Sequence, residues 1–441
     1  MAYTKPGVYS RYIPTPGTVI LGAGARIPAI IGVAPTYYTV VDEQVVRGSY
    51  PYGTQTDALD NTATYFVRIG DVAGVADYTE GTDYQLVGGV IEWLSGGDSP
   101  TAGDTYFVTY RYAKPASGYA AQLFSNMNDV TNEYGAPIYG NTLSLGIKIA
   151  FENGAPFVIG VQVTSDIDAG YTAAIDKLRY TVSEALPTAP VALSTSSTVQ
   201  VYLYNHAKTM SSTTFRGERI GLIGMAVGST IANIRAKATA FDSERLVLPY
   251  DEPTRDVQNS DGTYTERTLD STYLACAVAG MMSKFDVQEP LTRKVVIGFK
   301  ALTRQLLETE KDQMAGDGVL LFESKAGVIT VRHQVTTNNN TPEEAEISVM
   351  QIRDYVIKNV RNSLDDVYIG GAITSRTRAD VVTSVDAVLS KISEEGAIVA
   401  WGDITASQNA TDPRQIDIGF SIKPAYPLNI IMITFTINPN L

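Results

Sequence analysis

Few residues in this sequence could do acid–base, nucleophilic or metal chemistry. There are two histidines, His206 and His333, and one cysteine, Cys276. Imidazole and thiolate groups dominate general-base catalysis and transition-metal binding, so such sites have little to draw on here. One combination remains, since "YNHAKTMSS" puts His206 near Ser211 and Ser212, a base close to two hydroxyl nucleophiles. No G-x-S-x-G nucleophile elbow accompanies them. Hydrogen bonding at the end of a strand explains His206 better, and we predict no catalytic or metal site.

The glycine and cysteine motifs add no chemistry. "LGAGARIP" has closely spaced glycines but lacks the Lys-Ser/Thr pair of a phosphate-binding loop. Cys276 lies in the apolar stretch "STYLACAVAGMMSKF", where a cysteine usually acts as a small buried hydrophobic residue. His333 lies in "ITVRHQVTT", which has a strand-like composition, and is interpreted as a surface or sheet residue. We therefore predict a protein that is not an enzyme and that needs no cofactor.

Composition limits the partners. The net charge is −13 and the pI is about 4.7, whereas binding to a nucleic-acid backbone needs clustered Lys and Arg. No run approaches about 18 apolar residues, and the first residues lack the pattern of a signal peptide. We expect no direct contact with nucleic acid, no membrane insertion, and synthesis in a reducing cytoplasm. Charged residues make up only 18% and there are 26 tyrosines. Two interpretations stay open: a surface largely covered by partners, or a β-rich protein that uses Tyr and Thr in strands.

Strands alternate with helices between about residues 118 and 300. The segments "APFVIGVQV", "VQVYLYN", "RIGLIGMAV" and "ERLVLPY" predict strands. "DAGYTAAIDKLRYTVSEAL" predicts a helix with Ala174, Leu178 and Val182 on one face, and "STIANIRAKATAF" and "STYLACAVAGMMSKF" predict two more. This alternation predicts a doubly wound α/β sheet.

Two segments depart from that pattern. Residues 37–115 contain "TYFVRIG", "TDYQLVGG", "VIEWLSGGDSP" and "DTYFVTYRYA", short strands that predict a small inserted antiparallel sandwich. After the polar linker "TTNNNTPEEAE", residues 341–428 predict a compact α+β unit. Ser348 and Gln351 predict a capping box at the start of its first helix. The second helix, "RADVVTSVDAVLSKISEEG", has a predicted apolar stripe of Val381, Val385, Val388 and Ile392, and Gly396 predicts its end. "QIDIGFSIK" then alternates with the period of a strand.

Both ends of the sequence carry apolar residues without a core to bury them. Prolines and glycines repeatedly interrupt "AYTKPGVYSRYIPTPGTVILG", which predicts an extended arm at residues 1–20. The sequence closes with "NIIMITFTINPNL", which predicts an apolar strand or arm at residues 429–441. We predict that both segments contact a partner surface. The candidate inter-subunit contacts are Tyr3, Val8, Tyr9, Tyr12, Ile13, Ile431, Ile433, Phe435 and Ile437.

The order of several motifs resembles the tail sheath proteins of contractile injection machines, which include myovirus tails, pyocin-like particles and type VI secretion. "PGVYSRYIPTPG" resembles the amino-terminal arm of that family, and "LFSNMNDVTNEYG" with "LSLGIKIAFENGAPFVIGVQV" is similar to its early core. "STYLACAVAGMMSKFDVQEPLTRKVVIGF" resembles a later core segment, although "FDVQEPLTRK" lacks the usual aromatic-Ser-Pro wording. "ISVMQIRDYVIKNVRNSL" and "QIDIGFSIKPAYPLNIIMITFTIN" resemble the carboxy-terminal domain. The resemblance covers most of the chain outside about residues 37–115.

That resemblance implies a multidomain α/β and α+β fold. A subtilisin-like α/β core without protease chemistry would comprise residues 21–36 and 116–340, interrupted by an outer β domain at 37–115. A carboxy-terminal α+β sheath domain at 341–428 would form the inner wall of a helical tube. The arm at 1–20 and the strand at 429–441 would extend the small sheet of a neighbouring copy by β-augmentation.

The function implied by the resemblance is that of a structural subunit of a contractile tail sheath. Such subunits polymerise as stacked hexameric rings around a tail tube and contract to drive the tube through the target cell envelope. The implied partners are further copies of the chain, the tail tube protein, and baseplate and tail terminator proteins, in a virion tail assembled in the host cytoplasm. Candidate tube contacts are Arg353, Lys358, Arg361 and Lys391, although ordinary solvated helix faces explain these charges equally well. Two alternatives stay open: a decoration protein or adhesin whose β insertion binds a receptor, and an α/β hydrolase-type enzyme.

Overall fold

A central eight-stranded sheet organises the larger part of the chain. The computed structural model describes residues 26–115, 119–180, 186–260 and 262–434. The strands in these ranges are β1 (Ile27–Gly32), β2 (Tyr37–Val46), β3 (Tyr65–Gly70), β4 (Tyr84–Val87), β5 (Val90–Trp93), β6 (Thr105–Ala113), β7 (Gln122–Phe124), β8 (Val158–Gln162), β9 (Pro187–Ala192), β10 (Gly221–Leu222), β11 (Leu246–Tyr250), β12 (Pro253–Gln258), β13 (Tyr264–Thr268), β14 (Ala301–Leu302), β15 (Val319–Lys325), β16 (Val328–Val331), β17 (Ile398–Gln408) and β18 (Ile416–Pro424).

Helices connect most of these strands. Those in the described ranges are α1 (Met127–Tyr134), α2 (Thr142–Glu152), α3 (Asp168–Asp176), α4 (Ser197–Met210), α5 (Ile231–Phe241), α6 (Thr272–Lys284), α7 (Glu308–Gly316), α8 (Pro342–Ala345), α9 (Ile347–Tyr368) and α10 (Ser375–Glu394).

The central sheet has the strand order β7-β8-β1-β9-β10-β11-β15-β16. The six inner strands are parallel, and the two edge strands β7 and β16 run antiparallel to their neighbours. The chain starts in the middle of the sheet, adds β8 on one side of β1, and then continues from β9 on the other side. This order is the doubly wound arrangement that the strand–helix alternation predicts.

Both faces of the sheet are covered by helices. Ile30 of β1 packs in an apolar cluster with α2 and α6, whereas Ala29 and Ile31 pack with α3, α4 and α5 on the opposite face. Helix α6 is buried along nearly its whole length, as its apolar sequence predicts. It crosses α2 closely because Gly280 has no side chain: a Cβ atom there would lie 2.4 Å from the carbonyl oxygen of Ala150.

Three details of this region differ from the sequence predictions. "VQVYLYN" is not a strand but part of α4, because Val199, Leu203 and Ala207 lie four residues apart and are buried together on one helix face. The predicted helix at "DAGYTAAIDKLRYTVSEAL" is short, with α3 ending at Asp176 before a single 3-10 turn. Its predicted apolar face is only partly described, since Val182 lies outside the described residues. "RIGLIGMAV" contributes only the two-residue strand β10.

Residues 37–113 form two small antiparallel sheets around one apolar cluster. One sheet has the order β2-β6-β3, the other is the β4–β5 hairpin, and the four predicted strand segments fall on β3 to β6. The buried carboxylate of Asp57 joins the two sheets. It accepts hydrogen bonds from Trp93 Nε1 in β5 and Tyr106 OH in β6, each at 2.8 Å, and from the amide of Gly48 at 2.9 Å.

The last part of the chain packs two long helices, α9 and α10, against the β17–β18 hairpin. Of the apolar stripe predicted for α10, Val381, Val385 and Ile392 are buried and Val388 is half-buried. Gly396 follows the helix with φ +82°, a left-handed conformation that glycine adopts without strain.

The predicted capping box of α9 is wrong. The helix begins at Ile347, so Ser348 lies inside it, and the Ser348 hydroxyl accepts a hydrogen bond from Gln334 Nε2 at 2.7 Å. Gln351 Nε2 donates to the carbonyl of Met282 at 3.4 Å. Both polar side chains therefore connect α9 to the α/β region instead of capping the helix.

Candidate assembly interface

The β17–β18 hairpin has two open edges. Among the described residues, these strands of 11 and 9 residues pair only with each other. β18 alternates strictly, with Ile418, Phe420 and Ile422 half-buried toward the helices and Ser421 and Lys423 exposed. Each outer edge presents backbone N–H and C=O groups that another strand could pair with. Because a two-stranded sheet is marginal by itself, this hairpin is suited to accept further strands.

The segment that follows the hairpin is exposed and lies in no sheet. Residues 425–434 form neither helix nor strand, and Leu428, Ile430, Ile431, Met432 and Ile433 are 74–87% exposed. The strand or arm predicted at residues 429–441 stays a prediction, since its described part, residues 429–434, forms no strand within this one chain. The physical reason is that a strand needs a partner strand, and the subunit supplies none at this position.

The other predicted arm contacts lie outside the described residues. These are Tyr3, Val8, Tyr9, Tyr12, Ile13, Phe435 and Ile437.

Helix α9 is attached to the α/β region by ion pairs. Arg245, just before β11, forms two hydrogen bonds with Asp354 of α9, at 2.5 and 2.9 Å. Arg361 forms two with Glu218, both at 2.8 Å. The planar guanidinium matches the two carboxylate oxygens in each pair, which fixes the orientation of the helix as well as its position.

The four predicted tube contacts therefore lie in different surroundings. Arg361 is paired within the chain, and Arg353 lies 3.7 Å from Glu244. Lys358 lines a small cavity of about 50 Å³ between α9 and the α/β region, and burial lowers the pKa of its ammonium group. Lys391 is exposed in the last turn of α10.

The pKa of Glu218 depends on its partners at the contact between α9 and the α/β region. Burial alone would raise the pKa of the Glu218 carboxyl, but hydrogen bonds from Arg361 and the positive charges around it lower that pKa overall. The carboxylate is therefore charged at neutral pH and able to hold Arg361.

His206 is a structural residue. It lies in α4, not at the end of a strand, and its Nε2 accepts a hydrogen bond from Arg219 Nη1 at 2.8 Å, since a guanidinium can only donate. Burial and the Arg219 charge lower the pKa of His206 to about 3. The Ser211 hydroxyl is bonded to the backbone of Arg219 and not to the imidazole. Ser211 is thus not paired with His206 as the hydrolase alternative requires.

The usual ligand crevice of a doubly wound sheet is filled. It lies at the carboxyl ends of the strands where the strand order reverses, here between β1 and β9. A Cβ atom on Gly32 would lie 2.9 Å from Leu193 Cδ1 and 3.0 Å from Thr142 Oγ1, so the chain's own side chains occupy this space. The described residues also include no cluster of His, Cys, Asp and Glu that could hold a metal ion. Within those same ranges, no helix has both the length and the apolar character to cross a membrane.

Comparison with known proteins identifies the part of the chain that contains α9, α10 and the hairpin. The phage tail sheath C-terminal domain matches residues 339–438, and a domain of unknown function (DUF4815) matches residues 28–133. The tail sheath protein of Mycobacterium phage Bxz1 is 27% identical over 350 residues, which is 76% of this chain and 59% of that protein. The tail sheath protein of Bacillus phage SP01 is 25% identical over 271 residues, 60% of this chain and 45% of that one. The chain is therefore similar to phage tail sheath proteins.

Solved structures agree with this at the level of the fold. The chain is similar to the helical sheath of the anti-feeding prophage in its contracted state, with a TM-score of 0.58 over 99% of this chain and all of that one. The two are 12% identical, so this likeness establishes the fold alone. The matches to the two phage sheath proteins span less than two thirds of the length of each.

Sequence reasoning missed the ion pairs at the base of α9, although a signal was present. Asp354, Lys358 and Arg361 are spaced at i, i+4 and i+7, which puts three charges on one helix face. A charged face separate from the apolar stripe is usually solvated. Here it faces the α/β region, and only the position of Glu218 and Arg245 in the fold shows why.

Proposed function

We propose that this chain is the structural subunit of a contractile tail sheath, which polymerises as stacked hexameric rings around a tail tube and contracts to drive that tube through a cell envelope. The observation that carries the proposal is the β17–β18 hairpin with two open edges, next to a terminal segment whose apolar side chains are exposed. In an isolated subunit the hairpin edges leave backbone groups without a partner strand, and the terminal segment leaves apolar side chains exposed. A terminal segment from a neighbouring copy could pair with a hairpin edge and relieve both.

The arms would connect the subunits. Residues 1–20 and 429–441 of neighbouring copies would pair with the open edges of the hairpin, and their apolar side chains would cover its half-buried inner face. Backbone hydrogen bonds would give such contacts affinity, and the alternation of side chains would fix their register. The inter-subunit contacts would be those predicted from the sequence, including Ile431 and Ile433, which are exposed and available.

The division into moving parts follows the predicted domains. The core of residues 21–36 and 116–340, with a subtilisin-like arrangement, would carry the β domain of 37–115 on its outer side, as an inserted sandwich. The unit at 341–428 would face the tube. These parts would move as nearly rigid bodies during contraction while the arms keep the subunits connected.

Other copies of the chain would be the main partner, together with the tail tube, baseplate and tail terminator proteins in a virion tail assembled in the host cytoplasm. Tube contact would depend on exposed Lys391 more than on Arg353 and Arg361, which have partners within the chain. The proposed role is structural: His206 is bonded to Arg219, His333 to Glu346, and the chain's own side chains lie against Gly32 at the sheet crevice.

Two variants test the proposal. Removal of residues 1–17 should leave the described fold intact by circular dichroism but abolish ordered tubes in negative-stain micrographs. Thr434→Pro removes one backbone donor from an exposed segment, so the melting temperature of the subunit should not change while tube formation is lost. Thr434→Ala, which keeps that donor, is the matched control and should assemble. Ordered tubes from both the truncated and the proline variant would refute the proposal.

A further inference from the structure

The terminal segment is tied to its own subunit before it becomes exposed. Tyr426 OH donates to Glu343 Oε1 at 2.6 Å, and Asn429 Nδ2 donates to Glu346 Oε1 at 2.7 Å. The pKa of the Glu343 carboxyl is lowered, chiefly because it accepts the hydrogen bond from Tyr426. Beyond Asn429 the segment loses contact with the fold, and Ile430 borders an open depression of about 610 Å³.

Three side chains form the last point of attachment. His333 Nε2 lies 2.7 Å from Glu346 Oε1, the oxygen that also accepts from Asn429. Because an ionised carboxylate only accepts hydrogen bonds, both nitrogens donate to it. Glu346 is 5% exposed and immediately precedes α9, whereas His333 follows β16 of the central sheet. Asn429, Glu346 and His333, here called the Asn429 clasp, therefore join the segment to the sheet and to α9 at once.

The surface beyond the clasp does not suit the residues that follow it. The depression is lined by charged groups: Arg332 pairs with Glu308 at 2.7 Å and Asp312 at 2.5 Å, and Lys325 lies on its rim. An apolar run gains little from a charged, hydrated surface. The exposed residues 430–433 are thus attached at their start and have no apolar cover on their own subunit.

We propose that the Asn429 clasp is a positioning device that fixes the point from which the terminal arm leaves its subunit. This inference rests on the proposed function, because the partner of the arm is the open hairpin edge of a second copy of this chain. Tyr426 stays bonded to Glu343, so release of Asn429 would free residues 427–429 and lengthen the arm by three residues, or about 10 Å at 3.3–3.6 Å per residue. The clasp therefore limits which neighbouring hairpin the arm can reach.

Spin labels on the full chain can measure the position of the arm. Cys276 is fully buried, so nitroxide labels would attach only to introduced cysteines at Met432 and Lys325, both exposed. The distance between them is measured by pulsed electron spin resonance in the monomer fraction from size-exclusion chromatography. Asn429→Asp removes the donor and puts a second carboxylate against Glu346. Asn362→Asp, at an exposed position of α9, is the control for the change in charge.

The protein with Asn429 unaltered should give one narrow distribution of distances between the two labels, and so should the Asn362→Asp control. Asn429→Asp should broaden it and extend it by up to about 10 Å, and Asn429→Ala should do the same without added charge. In assembly, both Asn429 variants should form fewer ordered tubes at unchanged melting temperature. Narrow distributions for both Asn429 variants would overturn the clasp. A failure of the unaltered chain to form tubes would instead count against the proposed function, since the distance measurement does not require assembly.

Discussion

Removing one partner of the Arg245–Asp354 pair should loosen the attachment of α9. Their side chains are 9% and 17% exposed, and they share two hydrogen bonds. A charge left alone in a buried site costs about 3–5 kcal/mol. Because both side chains keep some contact with water, we expect the low end, about 3 kcal/mol, for Asp354→Leu or Arg245→Met. The double variant removes both charges and should lie within about 1 kcal/mol of the unaltered protein.

Hydrogen exchange of the α9 amides is the appropriate assay, because the chain contains several apolar clusters and need not unfold in one step. A loss of about 3 kcal/mol should speed exchange in α9 roughly a hundredfold, at about 1.4 kcal/mol per factor of ten. Strands of the central sheet should change much less. Arg414→Met breaks an ion pair with Asp412 whose arginine is 89% exposed, and should leave α9 unchanged.

Two results would refute this reasoning. If the double variant exchanges as fast as Asp354→Leu, the damage comes from altered packing and not from an unpaired charge. If both single variants exchange like the unaltered protein, the pair does not hold α9 in place. In that case the neighbouring Arg361–Glu218 pair would have to carry the junction.

Three further predictions follow from single residues. Gly280→Ala pushes a Cβ against the α2 backbone and should cost about 1–3 kcal/mol in a denaturant titration, whereas Gly316→Ala, with open space around it, should be neutral or stabilising. The pKa of His206 is about 3 in the folded state, below its ordinary value of 6.5. The unfolded chain therefore binds a proton first, so stability falls as the pH drops from 6.5 to 3, and His206→Gln should flatten the melting temperature over that range. Ile433→Asp should leave the melting temperature of the subunit unchanged, since Ile433 is 83% exposed, whereas Ile398→Asp, at 2% exposure, should unfold the carboxy-terminal unit.

Much of the fold could be predicted because its signals are local. The alternation of β18 and the apolar stripe of α10 each need only one face to be buried, and the structure buries that face. The predictions were wrong where a residue distant in the sequence determines the local structure. Ser348 looks like a helix cap until Gln334 supplies its hydrogen bond, and "VQVYLYN" favours a strand until the sheet buries one helical face of α4.

The candidate interface was harder to predict for the same reason. The apolar run at residues 430–433 predicts a segment that packs against other residues, but it does not say which chain supplies them. The burial of its side chains distinguishes an apolar segment covered by its own chain from one that needs a partner chain. Ile398 is covered by its own subunit, whereas Ile433 is not, although both lie in similarly apolar surroundings in the sequence.

The energetics of the exposed arm favour an assembly held by many weak contacts. Burial of Ile430, Ile431, Met432 and Ile433 on a neighbour would contribute about 1.5–3 kcal/mol for each side chain. Ordering the backbone would cost about 1–2 kcal/mol for each residue, so the two effects nearly cancel. One arm by itself would therefore bind weakly and reversibly. In the proposed lattice each subunit would give and receive arms, so the later contacts would form at high effective concentration. Because each contact is weak, a wrongly placed subunit could dissociate during assembly. The finished network would stay connected while the compact parts of each subunit move.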